Sequence, residues 1–316
     1  MQNGQWKRRH RNTRYRRFRW ERLLLVAASA ALVVVGLVKL IRYTDDYISA
    51  QQTAQELRQA YQQEITETAA PAPSPVPATP APTQAQSTQA PAPTAVARLN
   101  AMPYPENPRL QISSQFKALR KENKDIVGWL NLGGLLDEAV VQRDEVYYMD
   151  HDALGKKNVN GAIFLDSGVS LNTRPYTCVL YGHNMKTGAM FGCLRNYENI
   201  TYYHSNPFIT FDTMYENGRY VVFAVGTVNT VERVKNYANI YSLLSDNLQE
   251  RQSVIDALVK ASVFSNSVDV RPDDQILLLV TCVDHDNERR VVAARRIRGG
   301  ENEEELKLAV GQNRKR

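Results

Sequence analysis

The chain has 316 residues, with 39 Lys or Arg against 33 Asp or Glu and a formal charge of +6. The excess is local: residues 1–22 carry nine basic side chains and one acid, Glu21, whereas everything beyond them sums to −2. A folded body without surplus positive charge argues against a nucleic-acid partner, and three cysteines cannot build a disulfide framework.

Residues 23–41 are apolar apart from Ser29 and from Lys39 near the far end, where a lysine can snorkel. Nineteen residues at a helical rise approach the ~30 Å of a bilayer core. Their basic preface predicts a single-pass signal anchor, with membrane lipid around it, a cytoplasmic tail at 1–22 and all later residues extracellular. No small-x-small site closely follows the apolar run, which argues against a cleaved leader.

Residues 42–68 read as a polar juxtamembrane helix. Tyr43, Tyr47, Ala50, Ala54, Leu57, Tyr61 and Ile65 step by three or four, a stripe too short for a coiled coil, so an exposed helix is expected. Residues 69–98 change character. Eight of the 14 prolines fall between Pro71 and Thr94, and no charge occurs from 69 to 97. Such a segment buries no core and favours extended geometry, which predicts a semi-rigid stalk.

The body, residues 100–300, opens with a helix at 115–124 that has Phe116 and Leu119 on one side. Short β-branched or aromatic runs follow at 125–132, 138–142, 162–166, 177–181, 219–225, 275–281 and 290–294, each bounded by turn residues. A helix is expected at 246–264, with Asp246 and Gln249 at its start. Many strands and few helices predict a mainly β fold, a closed or nearly closed barrel decorated by helices, followed by a charged tail at 301–316.

Three thiols compete for chemistry. Cys178 sits inside an apolar strand and Cys193 in an apolar turn, and both read as packing residues. Cys282 ends the strongest apolar strand and is followed by the polar run Val283-Asp-His-Asp-Asn-Glu. A strand end can present a thiol to solvent, and cationic neighbours favour the thiolate. Arg289 and Arg290 return beside Cys282 if the flanking strands pair. Among the histidines, His10 belongs to the tail, His151 and His204 to polar loops, and His285 lies too close to Cys282 in sequence for a pre-oriented base. His183 ends the strand that carries Cys178, just after Gly182. A strand-end His with a strand-end Cys is what nucleophilic thiol catalysis needs. Cys282-x-x-His285 lacks the second ligand pair of a zinc site, so no metal is assigned. No glycine loop of the phosphate-binding kind is present, and no cofactor is expected.

These residues resemble the sortases, class B in particular, from about Asn123 to Ile297. The blocks are Asp125-Ile-Val-Gly-Trp, Gly161-Ala-Ile-Phe-Leu-Asp, Leu180-Tyr-Gly-His-Asn-Met-Lys-x-Gly-x-Met-Phe-Gly, Asp273-Asp-Gln-Ile-Leu-x-Leu-Val-Thr-Cys and Arg289-Arg-Val-Val-Ala-Ala. The resemblance implies a membrane-anchored cysteine transpeptidase in a Gram-positive bacterium. Its donor partners are surface or pilin proteins bearing a sorting signal, and its acceptor is an amine of lipid-linked cell-wall precursor or of a pilin. Cys282 would attack the carbonyl after a Thr, His183 would act as acid and base, and Arg289 would steady the developing oxyanion. The family's strand pattern, Arg, any residue, then apolar residues, implies Arg289 rather than Arg290 in that role without excluding the latter, and alternation sets Arg289 with Val291 and Ala293 on one face and Arg290 on the other. Tyr181, Asn184, Val280 and Thr281 fall within the same blocks and are expected to contact substrate, and the Val283 N–H is a candidate second donor. Two departures stand out: Val280 occupies a position where the family commonly has a hydroxyl, and the stretch from Cys282 to Arg289 is short. Rival readings are another extracellular Cys peptidase, an L,D-transpeptidase (whose Ser-His-Gly-Cys run is absent), or a non-catalytic stalked binding module.

Overall fold

The computed structural model describes residues 20–68, 103–144, 146–283 and 287–316. Most of the basic tail with His10, the proline-rich segment 69–98 and His285 lie outside the described residues. The chain divides into two units, Met1–Asp45 and Asp46–Arg316. Helix α1 (Trp20–Thr68) contributes to both. In the first unit its apolar side chains from Leu24 to Ile41 are exposed all round, a surface suited to lipid rather than to water. This stretch is long and apolar enough to cross a membrane.

The second unit is built on a closed barrel of eight strands. After helix α2 (Ser114–Glu122) come β1 (Ile126–Asn131), β2 (Asp137–Val141), β3 (Ile163–Leu165) and β4 (Thr177–Tyr181). Helix α3 (Ile200–Ser205) precedes β5 (Phe208–Thr213) and β6 (Arg219–Asn229). Helix α4 (Leu248–Ala261) precedes β7 (Ile276–Cys282) and β8 (Glu288–Arg296), and α5 (Glu303–Gly311) follows. The strand order is β1-β2-β3-β4-β7-β8-β6-β5, closed by β5 on β1. Among the described strands, the β2–β3 and β4–β7 pairs are parallel and the others antiparallel. β7 is buried from Ile276 to Thr281, as expected of a continuous apolar run covered on both faces. The mainly β barrel expected from the sequence is therefore the observed fold. β5 is a strand beyond those read from sequence: its residues alternate buried and half-buried, with Thr and Asp interleaved among the apolar positions.

A parallel β4–β7 pair demands a crossover, and the chain makes it through β5, β6 and α4. The cap of α4 is Asn247, whose side chain accepts from the Gln249 N–H, so the start falls one residue beyond the expected Asp246. Arg251 of α4 is fully buried, and among the described residues its hydrogen bonds go to neutral oxygens. Its guanidinium donates to the Pro272 carbonyl at 2.6 Å, the Thr177 hydroxyl at 2.6 Å, the Asp274 carbonyl at 2.9 Å and the Leu243 carbonyl. This one side chain ties the inserted helix to the bases of β4 and β7.

The second half of α1 corrects the expectation of an exposed helix. Ala54, Leu57 and Tyr61 are buried. The Tyr61 ring stacks on Trp129 with centroids 4.5 Å apart and donates its hydroxyl to Asp212 at 2.7 Å. Thr53 donates to Asp152 at 3.2 Å, and Arg58 Nε lies 2.9 Å from Asp137 Oδ2. The stripe seen in sequence is thus the docking face of a helix packed on the barrel. Within 301–316, read as a charged tail, Val310 and Asn313 are fully buried, and Asn313 donates to the Tyr203 hydroxyl at 3.0 Å.

Candidate active site

Cys282 is exposed at the end of β7, whereas Cys178 and Cys193 are buried. Burial pushes both inner thiols up to about 12, which leaves them protonated and inert as nucleophiles. The sorting of the three cysteines by their apolar neighbours therefore agrees with their placement.

β8 decides what faces the exposed thiol. Its antiparallel register sets Cys282 opposite Arg289, Thr281 opposite Arg290 and Val280 opposite Val291. Residues directly opposite in such a pair share a face of the sheet. Arg289 is therefore the cross-strand neighbour of Cys282, and Arg290 lies on the other face with Thr281. There the Arg290 Nε donates to Glu198 Oε1 at 2.7 Å. Arg289 donates through Nη1 to the Glu288 carbonyl at 3.0 Å. The Val283 N–H donates to the Glu288 carbonyl at 3.3 Å, so it continues the ladder and is not free as the second donor considered from sequence.

β4 brings His183. Tyr181 lies beside Val280 in the parallel register, so His183, two residues on, leaves the barrel level with Cys282. The strand end is clasped twice: Gly182 N–H donates to the Val280 carbonyl at 3.4 Å, and the buried Thr281 hydroxyl donates to the Gly182 carbonyl at 2.7 Å. The His183 Nε2 lies 2.6 Å from the Met149 carbonyl. A carbonyl only accepts, so Nε2 carries the hydrogen, and in the neutral ring Nδ1 is the basic nitrogen. Gly161 makes this approach feasible. Its φ is +63°, and a Cβ there would sit 2.6 Å from the Tyr148 carbonyl oxygen, 2.9 Å from that of Met149 and 3.1 Å from His183 Cδ2.

Cys282, His183 and Arg289 line one cavity of about 300 Å³, together with Tyr181, Val280 and Thr281. Tyr181 donates its hydroxyl to Asp166 at 3.0 Å, and burial raises its phenol above the ordinary range. Asn184 does not line this cavity; it pairs with Met190 in an isolated bridge. Sequence reasoning missed Met149, Phe164 and Tyr241 in the wall. Phe164 belongs to the Gly161 block already singled out, and its alternation with Ile163 was the available signal. Met149 and Tyr241 come from 3₁₀ turns at Tyr147–Met149 and Ile240–Leu244, which carry no signature of their own. His151 stacks on Tyr147 and His204 approaches the Asn313 carbonyl at 3.2 Å, and neither lines the thiol cavity. Among the described residues no cluster of His, Cys, Asp and Glu could hold a metal ion.

A closed barrel with a thiol, an imidazole and a guanidinium meeting at the ends of β4, β7 and β8 defines a class of thiol enzyme. The family model described as Sortase domain matches residues 136–297, just over half of the chain. Sortase B of Staphylococcus aureus is 30% identical over 190 residues, which span 59% of this chain and 75% of that protein. Sortase B of Listeria monocytogenes is 27% identical over 176 residues, 54% of this chain and 68% of that one. The crystal structure of the Staphylococcus aureus protein superposes with a TM-score of 0.53 at 30% identity, covering 60% of this chain and 89% of its own. The chain belongs to the sortase family, in class B, and is a cysteine transpeptidase of the kind that anchors surface proteins.

Proposed function

We propose that Cys282 is the nucleophile, His183 the acid and base, and Arg289 the donor to the reacting carbonyl. The observation that carries the assignment is the register pair Cys282–Arg289, with His183 in the same 300 Å³ cavity. The Cys282 thiolate attacks the carbonyl after a Thr of a sorting signal. The C–N bond breaks, His183 protonates the leaving amine, and a thioester to Sγ remains. An incoming amine then attacks the thioester, gives its proton to His183 and expels the thiolate. Arg289 neutralises the oxyanion that forms twice along this path. Val280, Thr281 and Tyr181 shape the substrate wall, and Asn184 supports the loop after His183. The acceptor is an amine of cell-wall precursor or of a pilin subunit, and the donor is a surface or pilin protein. Residues 23–41 anchor the enzyme, with the N-terminus cytoplasmic and the barrel outside, in line with the basic charge before the span.

The test is to incubate the full chain in detergent with a library of sorting-like pentapeptides and an amine, scoring products by mass, beside the Cys282→Ala variant. Cleavage after Thr with amine exchange, lost in the variant, is expected. Exchange that survives Cys282→Ala would overturn the choice of nucleophile.

A further inference from the structure

The Met149 carbonyl that holds His183 belongs to a segment, residues 147–161, that is fastened to the docked half of α1. Thr53 donates its hydroxyl to Asp152 Oδ2 at 3.2 Å, and Asn158 Nδ2 donates to the Asp46 carbonyl at 2.8 Å. Asn160 Nδ2 reaches that same carbonyl at 3.4 Å. Thr53, Asp152, Asn158 and Asn160 are all buried, so these bonds are made away from competing water and are stronger for it. The other Asp152 oxygen accepts from the Leu154 and Lys156 N–H groups at 3.0 and 2.9 Å, which closes the segment on itself. On the barrel side the segment is held by Tyr148, whose hydroxyl donates to Asp125 Oδ2 at 2.9 Å and accepts from Asn123 Nδ2 at 2.8 Å.

Asn158 is the node of this arrangement. Its N–H donates to the carbonyl of Asp150, the residue after Met149, at 2.9 Å. Its own carbonyl accepts from the Gly161 N–H at 3.0 Å, and Gly161 is the glycine that lets the Met149 oxygen and the imidazole come close. Its Oδ1 accepts from the Asn160 N–H at 2.9 Å. With Nδ2 on Asp46, each kind of polar group in this buried residue is used, three inside the segment and one on α1. A buried amide satisfied in this way holds its neighbours in one arrangement, because any shift would leave a polar group unpaired.

We infer that Asn158 is a positioning residue for His183, and that through it the docked half of α1 sets the orientation and tautomer of the imidazole. The inference rests on the acid–base role proposed for His183. The hydrogen on Nε2 points at the Met149 carbonyl whether the ring is neutral or protonated, so the proton traded with the substrate is the one on Nδ1. That division of labour lasts only while the carbonyl stays where it is. Loosening residues 147–161 from α1 takes the acceptor away from Nε2, and the ring is then free to rotate and to exchange tautomers. Neither Asn158 nor Thr53 lines the thiol cavity, so both act through the segment and not on substrate.

The test uses the full chain in detergent with isotopically labelled histidine rings. Nitrogen NMR in alkaline buffer reads the tautomer of His183 without any substrate, its signals being assigned by their loss in His183→Ala. The unaltered chain is expected to carry the hydrogen on Nε2. Asn158→Ala should move both ring signals toward those of a free, tautomerising imidazole. Thr53→Val, which keeps the side-chain shape, should move them the same way by less, and it decides the matter if circular dichroism melts show Asn158→Ala unfolded. Peptide cleavage with amine exchange should slow about tenfold or more in Asn158→Ala, because a small misplacement of a reacting group is costly. In a His183→Ala background the same substitution should change the residual rate by less than about twofold. Unmoved ring signals in a folded variant, or an equal loss of rate with and without the imidazole, would overturn the inference. Moved ring signals beside an exchange rate indifferent to His183→Ala would uphold the positioning and sink the acid–base role instead.

Discussion

Arg289 and Arg290 are adjacent in sequence, but the barrel puts them to different uses, and a pair of substitutions separates them. Arg289 shares a face with Cys282 and lines its cavity; Arg290 shares a face with Thr281 and is paired to Glu198 at 2.7 Å. Removing one donor to a developing oxyanion costs roughly 10²–10³ in rate, so Arg289→Ala should lower kcat/KM by that factor. Arg289→Lys keeps the charge but loses the planar fork, and it should recover only part of the activity. The Arg290–Glu198 pair is partly exposed, at 16% and 37%, and such pairs contribute about 1 kcal/mol or less. Arg290→Ala should therefore lower the melting point slightly and change kcat/KM by less than about fivefold. The assay is peptide cleavage with amine exchange, run on both variants with melting curves alongside. If folded Arg290→Ala loses as much activity as Arg289→Ala, the register argument is wrong and the guanidinium works from the other face.

Three further predictions follow from the same geometry. Iodoacetamide at pH 8 should label one thiol of the folded chain, mapped by mass to Cys282, because burial holds the Cys178 and Cys193 thiols up at about 12; comparable labelling of either inner thiol would contradict their burial. Gly161→Ala places a Cβ 2.6 Å from a backbone oxygen at a φ of +63°, so left-handed strain and overpacking should together cost about 2–5 kcal/mol of stability. The carbonyl that holds His183 moves with it, and the pH–rate profile should shift even at temperatures where the variant is folded; an unaltered profile and melt would refute this reading. Glu138, raised by burial from an ordinary 4.5 to about 7, binds its proton more tightly in the folded state. Its contribution is fully present below pH 4.5 and lost as pH rises to 7, at most about 3 kcal/mol. Glu138→Gln should flatten that part of the stability–pH curve, as measured by urea unfolding from pH 4.5 to 8.

Much of this was legible in the residues. Cys282 announces itself because an apolar strand stops there and a polar run begins, and His183 because a glycine follows a strand and precedes it. Both signals are local, and strand-end placement is a local property. The choice between Arg289 and Arg290 is not local: alternation puts them on opposite faces but does not say which face holds the thiol, and only pairing with β7 does. Met149 and Tyr241 were illegible for a similar reason, since each reaches the cavity from a short turn distant in sequence. The docking of α1 was half visible. The spacing of Ala54, Leu57 and Tyr61 marked a face, but sparse apolar content suggested that nothing would cover it. What covers it is aromatic stacking and hydrogen bonding, Tyr61 on Trp129 and Asp212, neither of which a hydrophobic pattern registers.

That docked helix also changes what the proline-rich segment can do. Residues 69–102 connect α1, whose Leu57 and Tyr61 are buried in the barrel unit, to α2, whose Phe116 and Leu119 are buried in the same unit. A chain fastened at both ends to one body does not set how far that body stands from anything else. Doubling its length would alter loop-closure entropy by only about 0.6 kcal/mol. A single proteolytic cut within it would leave two pieces that still hold each other, because the covalent path runs through the prolines while the mechanical one runs through Tyr61 and Trp129.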